Sequence, residues 1–174
     1  MAKGTHDFTA DPRNANILIN VNGVMTPRAE AVVSVFDSGF MLGDGVWEGL
    51  RVHKGKIAFL DAHLDRLFEG SKAIAMDIGI TRDALVERLY ETISGNAMAD
   101  QEGVHIRLMV TRGIRSTPYQ DPRVVISPAT IVIIPEYKEA LPSTIENGIR
   151  LFTVHVRRGD PAVQDQKLNS HSKL

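Results

Sequence analysis

Apolar and polar positions along the chain change period several times, and each change marks an element. Ile17-Leu18-Ile19-Asn20-Val21 reads as a strand, and Asn22-Gly23 follows it, a pair that tolerates the positive φ angles of a tight hairpin. Ala31 to Phe36 predicts a further strand, and the runs Val46 to His53 and Ile57 to Leu60 flank Lys54-Gly55, a second hairpin signal. After Asp61 the apolar spacing becomes helical, with Leu64, Leu67, Phe68, Ala73 and Ile74 on one face. This predicts a helix over 62–76 capped by Asp61. Thr81 caps a second helix whose stripe is Leu85, Val86, Leu89 and Ile93, with Gly95-Asn96 as its stop. Three β-rich runs come next, Val104 to Thr111, Thr130 to Ile134 and Ile149 to Val156. Strands, two helices and strands again predict an α+β fold, with helices layered on a largely antiparallel sheet.

The pattern also divides the chain. Residues 1–15 are polar and without periodicity and are expected to be a loose arm, and 16–157 make one continuous domain. The β pattern breaks at Arg157-Arg158-Gly159-Asp160-Pro161, so 158–174 are expected to be a linker and the start of a second, truncated domain, opening with a helix after Gln164. A chain of 174 residues can bury a substantial core. Its 20 basic and 21 acidic residues leave a net charge of -1, which offers no global field for nucleic acid or an anionic membrane. Cysteine is absent, so disulfides and thiolate chemistry are excluded. No stretch has the apolar length of a signal peptide or a membrane span, and a cytoplasmic protein is expected. The six histidines are scattered and form no His-Glu-x-x-His pattern, so no metal site is predicted.

A few residues invite chemistry. On a strand through Val46 to His53, Trp47, Gly49 and Arg51 share one face while Glu48 and Leu50 take the other; a glycine between two large side chains leaves a hollow. The plain alternative is Trp47 as core and Arg51 as a surface partner. His63 and Arg66 are three residues apart and share a helix face, where a guanidinium offers a rigid donor fork suited to phosphate oxygens. Read alone, Arg66 is more simply a partner of Asp65 or Glu69 on a solvated helix. Lys167, read alone, is a solvated lysine near the chain end.

Taken together, three segments resemble the first half of a class IV aminotransferase, a family dependent on pyridoxal 5'-phosphate (PLP). They are Gly43-Asp44-Gly45-Val46-Trp47-Glu48-Gly49-Leu50-Arg51, His63-Leu64-Asp65-Arg66-Leu67, and Asp165 to Leu174. The resemblance implies that Lys167 forms a Schiff base with the cofactor, with Lys173 as the competing register, because Asn169 follows Lys167 sooner than in many relatives. It implies a phosphate contact for Arg66 with His63 beside it, and a substrate wall of Phe40, Trp47, Gly49 and Arg51. The loop Thr111 to Arg123 resembles the segment that closes over substrate, with Arg115 as a carboxylate binder. The pattern Trp47-Glu48-Gly49-Leu50-Arg51 lies nearer the branched-chain enzymes, and the Arg-x-His pair of D-amino-acid enzymes is absent. The implied function is amino transfer between a branched-chain L-amino acid and a 2-oxo acid such as 2-oxoglutarate, in a homodimer. Transfer from D-amino acids or amines and an aminodeoxychorismate lyase reaction are the alternatives within the family. A chain stopping here is expected to be poorly active alone, and an inactive fragment or dimerisation module is the reading from another class.

Overall fold

The computed structural model describes residues 10–139, 141–157 and 159–172. In chain order the elements are β1 (Leu18–Val21), β2 (Val24–Pro27), α1 (Ser38–Leu42), β3 (Gly45–His53), β4 (Lys56–Ile57), α2 (Leu60–Ala73), α3 (Arg82–Gly95), β5 (Val104–Thr111), β6 (Thr130–Tyr137) and α4 (Pro142–Asn147). The strands form one sheet ordered β2-β1-β6-β5-β3-β4, and every pairing is antiparallel. This is the expected α+β fold.

Alternation along the strands gives the sheet two unlike faces. Val46, Leu50 and Val52 of β3 and Val104, Ile106, Leu108 and Val110 of β5 are buried on one face, where Leu64 and Leu67 of α2 and Leu85, Leu89 and Ile93 of α3 meet them. Each such leucine or isoleucine stabilises the fold by roughly 1.5–3 kcal/mol through burial, so the two helical stripes act as the lid of a single core. The opposite face carries Trp47, Gly49, Arg51, His105, Arg107 and Met109 and is covered only in part. Asn22 and Gly23 close the β1–β2 hairpin with φ of 54° and 91°, and Lys54 and Gly55 close β3–β4 with 48° and 74°. Both turns have the paired positive φ angles that favour Asn and Gly.

Several local expectations are corrected. Residues 31–34 are irregular, and 35–36 are part of a turn, because the run crosses the open face without a ladder partner; Val32 and Val35 are exposed. Ile149 to Val156 is also irregular, with Leu151 and Phe152 exposed, since no edge among the described residues pairs with it. Helix α2 starts at Leu60 after Phe59 in the left-handed region, without a side-chain cap. Asp61 lies in its first turn, where a carboxylate favours the helix dipole, and its Oδ1 accepts from Arg82 Nη2 at 3.0 Å. Thr81 caps α3 as expected, its Oγ1 accepting from Ala84 N at 3.2 Å. Pro12–Asn16, expected within the arm, forms a 3-10 turn, and Asn14 exchanges hydrogen bonds of 2.8 and 2.9 Å with the backbone of Tyr137. Residues 161–168 make turns in place of the expected helix. No described helix is long and apolar enough to cross a membrane, and the described residues hold no cluster of three metal-ligating side chains.

On the open face the register sets His105 directly opposite both Arg51 and Glu136. Its Nδ1 comes within 3.3 Å of Glu136 Oε1 but makes no hydrogen bond. Burial pushes the imidazole down to about 4; Glu136 opposes the shift while Arg51, Lys138 and Arg107 add to it. An unfolded histidine takes its proton near pH 6.5, so between those values the unfolded state binds more protons than the folded one. The stability that depends on neutral His105 is therefore complete above about pH 6.5 and is lost as the pH falls toward 4. Urea midpoints measured across that window should fall for the native sequence and fall less for His105→Gln.

Candidate active site

Glu48 points to the helix-covered face and its side chain has no exposure, yet it carries a carboxylate. Burial of an unpaired charge is costly, and α2 supplies the compensation. Arg66 Nε donates to Glu48 Oε1 at 2.6 Å and Nη2 to Oε2 at 2.5 Å, and His63 Nδ1 lies 2.8 Å from Oε2. If Nδ1 holds the proton of that bond, the 3.4 Å approach of Arg66 Nη2 to the same nitrogen is a contact between donors. The carboxylate holds the guanidinium in its charged form. Half of the Arg66 side chain stays exposed, so a fixed cation faces outward with Nη1 making no hydrogen bond among the described residues. Sequence reasoning placed His63 and Arg66 on one helix face and missed Glu48; a lone glutamate in an otherwise apolar inward row of β3 was the available signal.

The end of the chain returns to this place. Trp47 N donates to Asn169 O at 2.8 Å and His171 N to Gly45 O at 2.9 Å, with Ser170 bridged to Val46. Residues 169–171 thus lie along the edge of β3 beyond the reach of the short β4. A glycine allows the approach: a Cβ on Gly45 would stand 2.5 Å from Val110 O and 3.2 Å from His171 Cε1. Lys167 sits in the turn just before, exposed, its backbone N bonded to Asp165 Oδ1 at 2.9 Å. Lys173 lies outside the described residues.

Trp47 and Arg66 stand on opposite sides of β3, and the 169–171 segment runs between them. The Trp47 indole donates to Ser170 O at 3.1 Å and stacks on the guanidinium of Arg107, 3.9 Å from the ring centre. Arg107, directly opposite Gly49 in the ladder, was not among the sequence candidates, because alternation along one strand does not say which cation a neighbouring strand brings. Gly39, Trp47, Arg107, Met109 and His171 line an open cavity of about 350 Å³, and Gly39, Met109 and His171 also line the neighbouring apolar groove.

The remaining candidates fall elsewhere. The hollow expected at Gly49 is filled from the next strand, since His105 Nε2 would be 3.3 Å from a Cβ there. Arg51 is exposed and donates to Lys138 O at 2.5 Å, at the far end of β3. Phe40, on α1, is exposed and lines the apolar groove, not the Trp47 cavity beside it. Arg115 is buried, and its donors go to Tyr119 O, Asp121 O and Ser38 Oγ. It braces the loop it belongs to, a correction to its expected role as a carboxylate binder. Asp44, in the turn before β3, holds Arg112 through bonds of 2.7 and 3.0 Å, and Arg112 also donates to Ile74 O and Ala75 O at the end of α2.

The close approach at Gly45 makes a measurable demand. Gly45→Ala should destabilise the protein by about 1–3 kcal/mol, because backbone rather than a flexible side chain must yield. Amide exchange at Trp47 and His171 should quicken in the same variant, and unchanged exchange there would show that the edge pairing is independent of Gly45.

Comparison with known proteins follows the same segments. Residues 45–173 match the family model described as Amino-transferase class IV. Branched-chain-amino-acid aminotransferase-like protein 1 of Arabidopsis thaliana is 40% identical over 163 residues, covering 94% of this chain and 29% of that protein. A D-alanine aminotransferase of Staphylococcus haemolyticus is 28% identical over 134 residues, covering 77% of this chain and 46% of that protein. The crystal structure of the Escherichia coli branched-chain amino acid aminotransferase shares the fold at a TM-score of 0.75 and 19% identity, over 90% of this chain and 52% of that one. The chain therefore spans under a third to about half the length of the proteins it matches. With the family model covering most of its length, this chain belongs to the class IV aminotransferases.

Proposed function

We propose that the protein carrying this chain transfers an amino group between an amino acid and a 2-oxo acid using PLP, with branched-chain L-amino acids as donors. The observation that carries the reading is the meeting of three segments at one edge of β3: the Arg66–His63–Glu48 cluster, the Trp47–Arg107 cavity, and the lysine-bearing tail. Family membership supports the reaction class. The Trp47-Glu48-Gly49 pattern and the 40% identity to a branched-chain-like relative support the donor.

The residues present fit a phosphorylated cofactor. Arg66 presents a half-exposed guanidinium whose orientation is locked from behind by a buried carboxylate, which is the geometry that binds phosphate oxygens without a further ordering cost. Arg66, with His63 beside it, would hold the phosphate; Lys167 would be the covalent anchor, with Lys173 as the other register. When bound, PLP supplies the electron sink for the pair left on the substrate α-carbon. The lysine Nζ takes the α-proton and returns it during the exchange, so one amine serves as both anchor and base. Trp47 and Met109 give the aliphatic side chain an apolar wall, and the exposed apolar residues Val32 and Phe40 beside the open face suit a second copy of the chain.

Borohydride reduction of the PLP-loaded protein followed by peptide mass mapping should find the reduced cofactor on Lys167. An adduct on Lys173 moves the register, and no adduct on either lysine overturns the proposal. Arg66→Lys, which keeps a cation for Glu48 but loses the outward guanidinium fork, should weaken PLP binding by about 10-fold and leave the affinity for phosphate-free pyridoxal unchanged. Fluorescence titration of both compounds checks this, and equal losses for the two would remove Arg66 from the phosphate site.

A further inference from the structure

His171 lines the 350 Å³ cavity on the open face, beside Trp47, Arg107, Met109 and Gly39, and no part of the proposed reaction uses it. Its Nε2 lies 3.0 Å from Val46 O. A carbonyl oxygen can only accept, so Nε2 carries the hydrogen of that bond. In the neutral ring the other nitrogen, Nδ1, then has a lone pair, and it has no hydrogen-bond partner among the described residues and is not fully buried. Arg107, on the same lining, offers only donors. The two side chains therefore ask for different things of whatever enters. A carboxylate satisfies Arg107 and sets an oxygen lone pair against that of His171. A carboxamide presents its oxygen to Arg107 and an N–H to His171.

We propose that His171 is a specificity-determining residue, and that the cavity it forms with Arg107 and Trp47 takes a substrate whose side chain ends in a carboxamide in preference to the matching carboxylate. In the aminotransferase reading, on which this rests for the identity of the substrate, that ligand is an ω-amide 2-oxo acid or amino acid alternating with the aliphatic one.

The charged groups facing His171 are Asp37 at the start of α1, Asp44 in the turn before β3, and Arg107 on β5. Burial holds the imidazole below its usual value, helped by Arg107 and opposed by the Val46 bond, Asp37 and Asp44. The ring is neutral above about pH 7 by ordinary histidine titration, and burial keeps it so to lower pH. Once protonated, Nδ1 becomes a donor and the discrimination against carboxylate disappears.

Trp47 is the only tryptophan of the chain and lies in the cavity, so its fluorescence reports occupancy without any turnover. The probes are 2-oxoglutarate and its ω-amide, titrated into the protein at pH 8, where the ring is neutral. The amide should bind roughly 10-fold tighter, the effect of one satisfied against one opposed hydrogen-bonding group. His171→Phe should bring the ratio toward one, and Arg107→Met should weaken both ligands together. Tighter carboxylate binding in the native protein, or an unchanged ratio in His171→Phe, overturns the assignment. An amide preference without a borohydride-labelled lysine would retain the cavity assignment and remove the aminotransferase reading, whereas a labelled lysine with carboxylate preferred would do the reverse.

Discussion

A carboxylate with no exposure stands in the core beneath β3, and the arrangement of the rest follows from how it is satisfied. Glu48 is tolerable only while Arg66 and His63 hold it, because an isolated buried charge costs far more than any single apolar contact returns. That requirement ties the first turns of α2 to the middle of β3 more specifically than apolar packing does, since leucines can slide and a two-pronged ion pair cannot. The alternation of β3 then fixes Trp47 and Gly49 on the far face, and its register with β5 brings Arg107 onto the indole.

The edge of β3 is the second constraint. Opposite β5, its first half is left uncovered by β4, which pairs only Val52 and His53. Unpaired backbone groups on an edge recruit a partner, and residues 169–171 supply one. Gly45 leaves the room for it, since a Cβ there would stand 3.2 Å from His171 Cε1. A segment more than a hundred residues away in sequence is thereby held between the Arg66 cluster and the Trp47 cavity. The tail, the strand and the helix thereby share one edge.

The open face differs from the core face in how its polar groups are settled. On the core side Glu48 is paired at short distance. On the open side His105 is hemmed in by Glu136 and three cations without making a bond through Nδ1, and His171 is locked by a backbone carbonyl at one nitrogen and left available at the other. Burial lowers both imidazoles, and the first answers for pH-dependent stability while the second faces a cavity.

Local spacing was enough for much of this. Runs of β-forming residues located β1, β3, β5 and β6, the Asn22-Gly23 and Lys54-Gly55 pairs located two hairpins, and helical spacing with Thr81 located α2 and α3, because each of these signals acts within a few residues. Where the deciding partner was distant, spacing misled: Ala31 to Phe36 and Ile149 to Val156 have strand composition but no ladder to join, and Arg115 reads as a ligand-binding cation until three oxygen acceptors are found around it. The order of residues settled which side chains share a strand face or a helix face and which motifs the chain carries. Only the folded chain decided that Glu48 would anchor Arg66, that Arg107 would lie on Trp47, and that His171 would return to the edge of β3, because those contacts depend on strand register and on an unpaired edge, neither of which is a property of any one segment.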